Sequence, residues 1–252
     1  MMLTCTTCDR SAYETGRLAQ GDARLFRPGG LELTARAIAL ANLRAGARLI
    51  DLGCGAGDTV RYLRSQSFRA IGIDCAPDPA IAGMYGRDSR MRIVGRAEDL
   101  PFADGAVHGI LAECSLSLFE DCDQALAECA RVLADGGRLM ISDLYARRPE
   151  AIAQVRALHG SCATTMLVRE ELETSLSDAG FTVDVWEDHS RALRECAARY
   201  LFEHGSLEGL WGCGGESSSA IQEAMQAARA GYFLLIATRR NRCGGRGDAS
   251  RE

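Results

Sequence analysis

One glycine-rich segment, residues 48–58, constrains the fold of this chain more than any other part of the sequence. Its apolar first half, residues 48–54, predicts a short buried strand. Gly53, Gly55 and Gly57 then allow the backbone to turn tightly and to approach a ligand more closely than a side chain would permit. We expect this turn to open a helix whose first N–H groups face a bound nucleotide or nucleoside. A plain strand-to-helix turn would carry the same glycines, so other segments must decide between the two.

An acidic residue distinguishes this loop from the dinucleotide-binding version, in which a third glycine packs the helix against the strand. Here that position is Asp58, which would repel a pyrophosphate but suits a ligand with an ammonium or sulfonium charge. With Asp51 just upstream, the segment resembles motif I of the class I S-adenosylmethionine-dependent methyltransferases. The resemblance implies S-adenosylmethionine as cofactor and the enzymatic transfer of its methyl group. It also assigns Asp51, Gly53, Gly55 and Gly57 to the cofactor site.

Composition narrows the class of protein further. The chain has 252 residues, 47% of them hydrophobic, which fits one large domain or a domain with a small cap. No apolar run approaches the roughly 18 residues that span a bilayer, and no export leader opens the sequence. We therefore expect a cytoplasmic protein without a membrane partner. A net charge of −5 also argues against a nucleic-acid partner, because phosphate binding calls for a basic face.

The basic residues and the cysteines exclude further chemistry. All 29 basic residues are arginine, which excludes Schiff-base enzymes and Walker-type phosphate loops, since both need a lysine. The 11 cysteines in a chain without an export signal are expected to be mostly reduced thiols, several of them in the core. Cys5 and Cys8 lack a second cysteine pair at the spacing of a zinc site. Three interpretations of them stay open: metal ligands, a redox pair, or part of a flexible start. We assign no metal ligand in this chain.

Strand and helix patterns alternate along the chain, which predicts a parallel sheet in an α/β fold. The predicted strands are residues 48–54, 69–75, 91–97, 107–114, 138–144, 181–186 and 232–238. The predicted helices are residues 31–43, 59–65, 124–133, 151–159, 169–179, 191–203 and 219–228. The resemblance implies a Rossmann-like seven-stranded sheet with an antiparallel last strand. We place a flexible segment at 1–30, the methyltransferase domain at 31–240 with a helical cap at about 146–230, and a disordered tail at 241–252.

Further donor contacts follow from the resemblance. Asp74 ends the second strand, where a carboxylate can accept hydrogen bonds from both ribose hydroxyls, although a strand-end Asp can equally cap the next turn. The segment after the third strand runs along the adenine in this family, commonly with an Asp before the Ala. Here that position is Arg96, so Ala97 can offer its N–H and Glu98 can accept from the amine. Neighbouring residues also assigned to the cofactor site are Cys54, Cys75 and Glu113.

The acceptor side is similar to that of the arsenite methyltransferases in three stretches, residues 113–119, 141–148 and 158–162. By that match Cys114 and Cys162 take the positions of two metalloid-binding thiolates, and soft metalloids prefer such ligands. The family's third cysteine does not carry over, because Asp58-Thr-Val stands after motif I. A third thiol would have to come from Cys213, Cys5 or Cys8. Cys114 and Cys162 can equally be core thiols in an enzyme with another small-molecule acceptor.

Two further interpretations stay open at this point. His159 is the best general-base candidate for an oxygen or nitrogen acceptor, whereas transfer to sulfur or arsenic needs no base. The chain could also be a non-catalytic nucleoside- or metal-binding regulator. A nicotinamide dehydrogenase is disfavoured by Asp58 and by the lack of a second dinucleotide-binding half. The sequence determines neither the acceptor nor the oligomeric state.

Overall fold

We examined a computed structural model of the chain, which describes residues 27–75, 91–157, 166–205, 207 and 218–241. The strands are β1 Arg48–Leu52, β2 Arg69–Asp74, β3 Arg92–Val94, β4 Val107–Glu113, β5 Leu133–Ala146, β6 Phe181–Asp188 and β7 Ala230–Arg239. The helices are α1 Gly30–Ala41, α2 Asp58–Ser65, α3 Cys122–Val132, α4 Ile152–Arg156, α5 Arg169–Asp178, α6 Ser190–His204 and α7 Ser218–Ala227. Short 3₁₀ turns cover Leu116–Leu118 and Pro149–Ala151.

The seven strands form one sheet in the order β3-β2-β1-β4-β5-β7-β6. The first five strands are parallel, and β7 runs antiparallel between β5 and β6. The predicted seven-stranded α/β sheet with an antiparallel last strand is therefore confirmed. Because β1 lies between β2 and β4, the chain reverses its direction of winding there, and the carboxyl ends of these three strands meet at one edge of the sheet.

Helices cover both faces of the sheet, as the nearly continuous apolar runs of its central strands require. On one face α1 and α2 pack over the buried side chains Leu49 and Leu111. On the other face α3 and α5 pack over Ile50 and Ile110. A third, smaller apolar cluster joins α4 and α7 to the end of β5. The predicted boundary of the cap, and the flexible start and disordered tail, stay predictions.

Two strands, β3 and β5, differ most in length from the prediction. β3 is only Arg92–Val94, because the chain after Val94 turns into an isolated bridge between Arg96 and Asp99. β5 begins early, at Leu133, which pairs with Val107 before the register shifts and Arg138 pairs with Gly109. The additional residues bulge out of the ladder at Gly136, whose φ of +72° suits a glycine.

A membrane-spanning segment is not found in the structure: no helix among the described residues has the length and apolar character to cross a bilayer.

Phe233 anchors the antiparallel side of the sheet. It is fully buried and stacks on Trp186 with ring centroids 4.3 Å apart. We expect Phe233→Ala to lower the free energy of unfolding by about 3–5 kcal/mol, because the substitution leaves a cavity in the core. Phe202→Ala is the matched control, since this ring is 91% exposed, and it should change stability by less than about 0.5 kcal/mol. Urea unfolding measures both, and equal losses would show that Phe233 does not anchor the core.

Candidate active site

The glycine loop has the backbone geometry that the sequence predicts. Gly53, Gly55 and Gly57 have φ angles of +69°, +47° and +75°, which side chains strongly disfavour. The N–H groups of Gly53 and Cys54 both donate to the carbonyl of Ile73, at 2.8 and 3.1 Å. A Cβ at Gly53 would lie 2.5 Å from the Cβ of Ser115, whereas a Cβ at Gly55 would meet no protein atom within 4 Å. Gly53 is therefore required by packing, and Gly55 faces open space beside the loop.

Asp74 ends β2 directly beside this loop. Its Oδ2 accepts a 2.8 Å hydrogen bond from the N–H of Gly55, and its Oδ1 lies 3.3 Å from a guanidinium nitrogen of Arg92. The carboxylate thus fixes the loop and stands at the position from which it can contact a nucleoside. Ribose binding by Asp74 stays a prediction that this position supports.

A ring of polar side chains closes the site on the other side of β1. Glu113, at the end of β4, pairs with Arg27, and its two carboxylate oxygens also accept from Thr34 and Thr59, each at 2.8 Å. Arg27 in turn donates to both threonine hydroxyls. Each hydroxyl thus accepts from the guanidinium and donates to the carboxylate, so the ring joins α1, α2 and β4 around one ion pair. The Glu113 side chain is only 7% exposed.

Asp51 lies next to this ring at the end of β1 and is 3% exposed. Burial raises its pKa well above the ordinary value, and the neighbouring charges of Glu113 and Asp74 raise the pKa further while Arg27 lowers it. Three carboxylates thus meet at the ends of three adjacent strands. Such a cluster is unfavourable by itself and attracts a positively charged ligand.

Two further predicted cofactor residues, Cys54 and Cys75, follow β1 and β2. The Cys54 sulfur packs against Gly72, where an added Cβ would lie 2.4 Å away, and the Cys54 N–H is bonded to Ile73 as described. Cys54 therefore packs within the protein beneath the loop. Cys75 directly follows β2 and is exposed.

In the predicted adenine segment, Arg96 occupies the position of the family's usual Asp, and both Arg96 and Glu98 contact other parts of the protein. Glu98 accepts from the backbone N–H groups of Glu120 and Asp121, at 2.9 and 3.3 Å, and thereby holds the start of α3. Arg96 pairs with Glu120 at 2.7 Å and with Glu98 at 3.5 Å. Ala97 is buried between them. Its N–H, and the second oxygen of Glu98, stay the predicted contacts to adenine.

Cys114 follows β4 in a left-handed conformation, with a φ of +53°. Its sulfur lies 2.9 Å from the hydroxyl of Tyr232, which is fully buried and 3.1 Å from the Ser142 hydroxyl. Burial raises the pKa of the Cys114 thiol, and the charge of Asp143 raises it further. The thiol is therefore protonated at neutral pH.

The turn after Cys114 is fixed by Asp143 on β5. The Asp143 carboxylate is 1% exposed and accepts from both the N–H and the hydroxyl of Ser117, each at 3.0 Å, and from the N–H of Leu144 at 2.7 Å. These bonds hold the 3₁₀ turn that carries the chain from the site to α3.

Several predicted acceptor-side residues lie outside the described residues. They are Cys5, Cys8, His159, Cys162 and Cys213. In the parts of the chain that the structure describes, no group of three or more His, Cys, Asp or Glu side chains is arranged to hold a metal ion.

Comparisons with known proteins agree with this geometry. The model of a family described as "Methyltransferase domain" matches residues 50–141. The O-methyltransferase resE of Aspergillus sclerotiorum is 32% identical over 92% of this chain and 86% of its own length. This chain is a class I S-adenosylmethionine-dependent methyltransferase.

An arsenite methyltransferase of Aquipseudomonas alcaligenes is 29% identical over 54% of this chain and 44% of that protein. Among solved structures, the [4+2]-cyclase SpnF superimposes with a TM-score of 0.62 at 26% identity, covering 83% of this chain and 80% of that one.

Membership of the methyltransferases decides between the interpretations left open by the sequence. The chain is an enzyme, S-adenosylmethionine is its cofactor, and the dehydrogenase alternative is set aside. The open space beside Gly55, bounded by Asp74, suits a nucleoside, and the carboxylates suit the cations of this donor. S-Adenosylmethionine supplies an electrophilic methyl group on a sulfonium sulfur. We predict that the residues of this edge bind and orient that group.

Arg27, Thr34 and Thr59 bond to the predicted site residue Glu113, although the sequence does not predict them. Thr34 and Thr59 look like ordinary polar residues of amphipathic helices, and Arg27 is one of 29 arginines at the end of an irregular segment. The available signal is Glu113, which stands before Cys114 where the arsenite methyltransferases that this stretch resembles usually have Asn. A buried carboxylate requires a cationic partner, and the sequence does not say which arginine supplies it.

Asp51→Asn should stabilise the enzyme at neutral pH and weaken donor binding. The folded-state pKa of Asp51 is raised, so its contribution to stability is present at low pH and is lost as the pH rises through that pKa. The melting temperature of Asp51→Asn should therefore exceed that of the wild type increasingly with pH, by about 2–4 °C per kcal/mol relieved. Donor affinity should fall about tenfold or more, the scale of a hydrogen bond to a charged group.

Melting curves from pH 4 to pH 8 and calorimetric titration with S-adenosylmethionine measure the two effects of Asp51→Asn. Asp178→Asn, an exposed carboxylate at the end of α5, is the control and should show neither. A variant that lost stability at neutral pH would contradict the crowding of charges around Asp51.

Gly55→Val should abolish donor binding with only a modest loss of stability. Gly46→Val is a matched control, because Gly46 also has a positive φ, +79°, with no atom within 4 Å of an added Cβ. It precedes β1, at the opposite edge of the sheet. Both changes should cost roughly 1–2 kcal/mol of backbone strain. Calorimetry with the donor separates them: equal donor affinity in the two variants would mean that the loop does not cradle the nucleoside.

Proposed function

We propose that this methyltransferase transfers the methyl group of S-adenosylmethionine to an oxygen atom of a small organic molecule. The observation that carries the proposal is the position of the Cys114 sulfur, which lies 2.9 Å from the buried hydroxyl of Tyr232. The residue that the sequence suggested as a thiolate ligand is instead bonded within the protein. The similarity to the O-methyltransferase resE extends over 92% of the chain, against 54% for the arsenite methyltransferase, and supports the same acceptor class.

The protonation state of Cys114 favours an oxygen acceptor over a metalloid. A thiolate, not a thiol, is the ligand for soft metalloids, and the ordinary cysteine pKa is about 8.5. Burial and the charge of Asp143 raise the Cys114 pKa from there, which disfavours the thiolate. A neutral thiol still contributes an apolar surface to the acceptor pocket. This is the role we propose for Cys114.

An oxygen acceptor must lose its proton as the methyl group arrives. His159 stays our predicted general base for that step, since an imidazole near its ordinary pKa of about 6.5 can accept a proton at neutral pH. The remaining rate enhancement would come from holding the donor sulfur, the methyl carbon and the acceptor oxygen in line at contact distance. A rigid edge of the sheet, fixed by Asp74 and Asp143, supports such alignment.

Methylation of a thiol or of arsenite is the second candidate. Its specific support is the place of Cys114 directly after β4, the resemblance of the stretches around Cys114 and Cys162 to arsenite methyltransferases, and the 29% identity to one such enzyme over 54% of this chain. For arsenite, this candidate requires Cys114 to ionise when the metalloid binds. It also requires a third thiol from a segment that the structure does not describe. A cytoplasmic location stays a prediction under either candidate.

An acceptor panel with methyl-labelled S-adenosylmethionine tests the proposal. Phenols, alcohols, carboxylic acids, thiols and arsenite are compared on the wild type, on Cys114→Ser and on Cys122→Ser. Cys122 is a partly buried thiol on α3 and serves as the control. Burial raises its pKa too, to about 12. We expect turnover with an oxygen acceptor, which Cys114→Ser retains within about tenfold, since it only exchanges one neutral donor for another. Turnover of arsenite that Cys114→Ser abolishes and Cys122→Ser retains would overturn the proposal in favour of the second candidate.

A further inference from the structure

The ion pair of Arg27 and Glu113 has hydrogen-bonding capacity beyond its own ring. A guanidinium carries five N–H donors, and the contacts of Arg27 with described residues use three of them. A carboxylate offers about four acceptor positions, and Glu113 uses one on Oε1 and two on Oε2 in the same contacts. The bonds to described residues therefore leave the pair donor and acceptor positions with which it can hold a ligand group.

The position of this pair is set by the glycine loop. Thr59, which bonds to both charged groups, is in the first turn of α2, directly after Gly57 and Asp58. Glu113 ends the strand adjacent to β1. Arg27 and Glu113 thus adjoin the loop on the β4 side of β1, whereas Asp74 lies on the β2 side. If Asp74 binds the ribose, the rest of the donor extends towards Arg27 and Glu113.

The donor's amino-acid end carries one carboxylate and one ammonium group on the same carbon atom. A buried site for it needs one cation and one anion next to each other, since an unpaired charge is costly to bury. Arginine is the residue suited to a carboxylate, because its planar guanidinium can donate two parallel hydrogen bonds.

We propose that Arg27 binds the carboxylate of S-adenosylmethionine and Glu113 binds its ammonium group. Thr34 and Thr59 hold the two charged side chains in place, and the ring connects the donor site to helix α1. Other arginines by the loop have different partners: Arg61 pairs with Asp58 at 2.5 Å, and Arg92 pairs with Asp74. The inference depends on the established donor and is independent of which acceptor the enzyme uses.

A comparison of two donors tests the role of Arg27. S-Adenosylmethionine and its decarboxylated analogue, which keeps the amine and the sulfonium but lacks the carboxylate, are titrated calorimetrically into the wild type and Arg27→Met. We expect the wild type to prefer the complete donor by roughly ten- to a hundredfold, the scale of hydrogen bonds between charged groups. Arg27→Met should bind the two ligands with nearly equal affinity. Equal weakening of both ligands, with the preference intact, would overturn the assignment and leave Arg27 a structural link.

Thr34→Val serves as the structural control within the ring. It removes the hydroxyl that bonds to Arg27 and Glu113 but keeps both charges, so it should weaken both ligands similarly and retain the preference. If Arg27→Met does not fold, as judged by its melting curve, Arg27→Lys replaces it. Lysine keeps the charge but not the paired N–H geometry, so the preference should shrink without vanishing; an unchanged preference would overturn the proposal.

Glu113→Gln tests the other half of the pair. Its probe is the donor analogue in which a keto group replaces the amine. The wild type should prefer the amine-bearing donor, and Glu113→Gln should lose most of that preference while its discrimination against the decarboxylated analogue persists. A wild type that does not discriminate between amine and ketone would contradict this half of the proposal.

Discussion

Asp51, Asp74 and Glu113 come together at the ends of three adjacent parallel strands, and the organisation of the site depends on how their charges are accommodated. The strand order brings them together, because parallel strands end at the same edge and β1 lies between β2 and β4. Asp74 is compensated by Arg92 and by the N–H of Gly55. Asp51 keeps a raised pKa. The protein thus maintains a locally unfavourable charge distribution at the edge where we place the cationic donor, which is a common relation between stability and function.

The compensation of Glu113 also explains how the first helix is attached to the sheet. Thr34 on α1 and Arg27 just before it both bond to Glu113, so the helix is held by buried polar contacts as well as by apolar packing. At the outer surface Arg36, on the same helix, pairs with Glu187 on β6 at 2.7 Å. Helix α1 therefore spans the sheet from the donor edge towards its antiparallel end.

The acceptor side of the site has been shaped by internal hydrogen bonds more than the sequence suggests. Tyr232 on the antiparallel strand β7 reaches across β5 to the sulfur of Cys114, and Asp143 holds the turn that follows. Both contacts need the seven-stranded order, in which β7 is inserted beside β5. Cys114, which the sequence suggests as a thiolate ligand, and Asp143 therefore form part of the hydrogen-bonded framework at the ends of β4 and β5.

The sequence by itself determined the fold class, the glycine loop and the acidic ends of β1 and β2, because these follow from local patterns: apolar runs, glycines at positive φ and residues directly adjacent to them. The lengths of β3 and β5 did not follow, since pairing with neighbouring strands decides where a strand ends. Only the tertiary structure brought Arg27 to Glu113, 86 residues away, and Tyr232 to Cys114, 118 residues away. Such partners are chosen by packing and by the cost of burying an unpaired charge, and neither leaves a periodic signal in the chain.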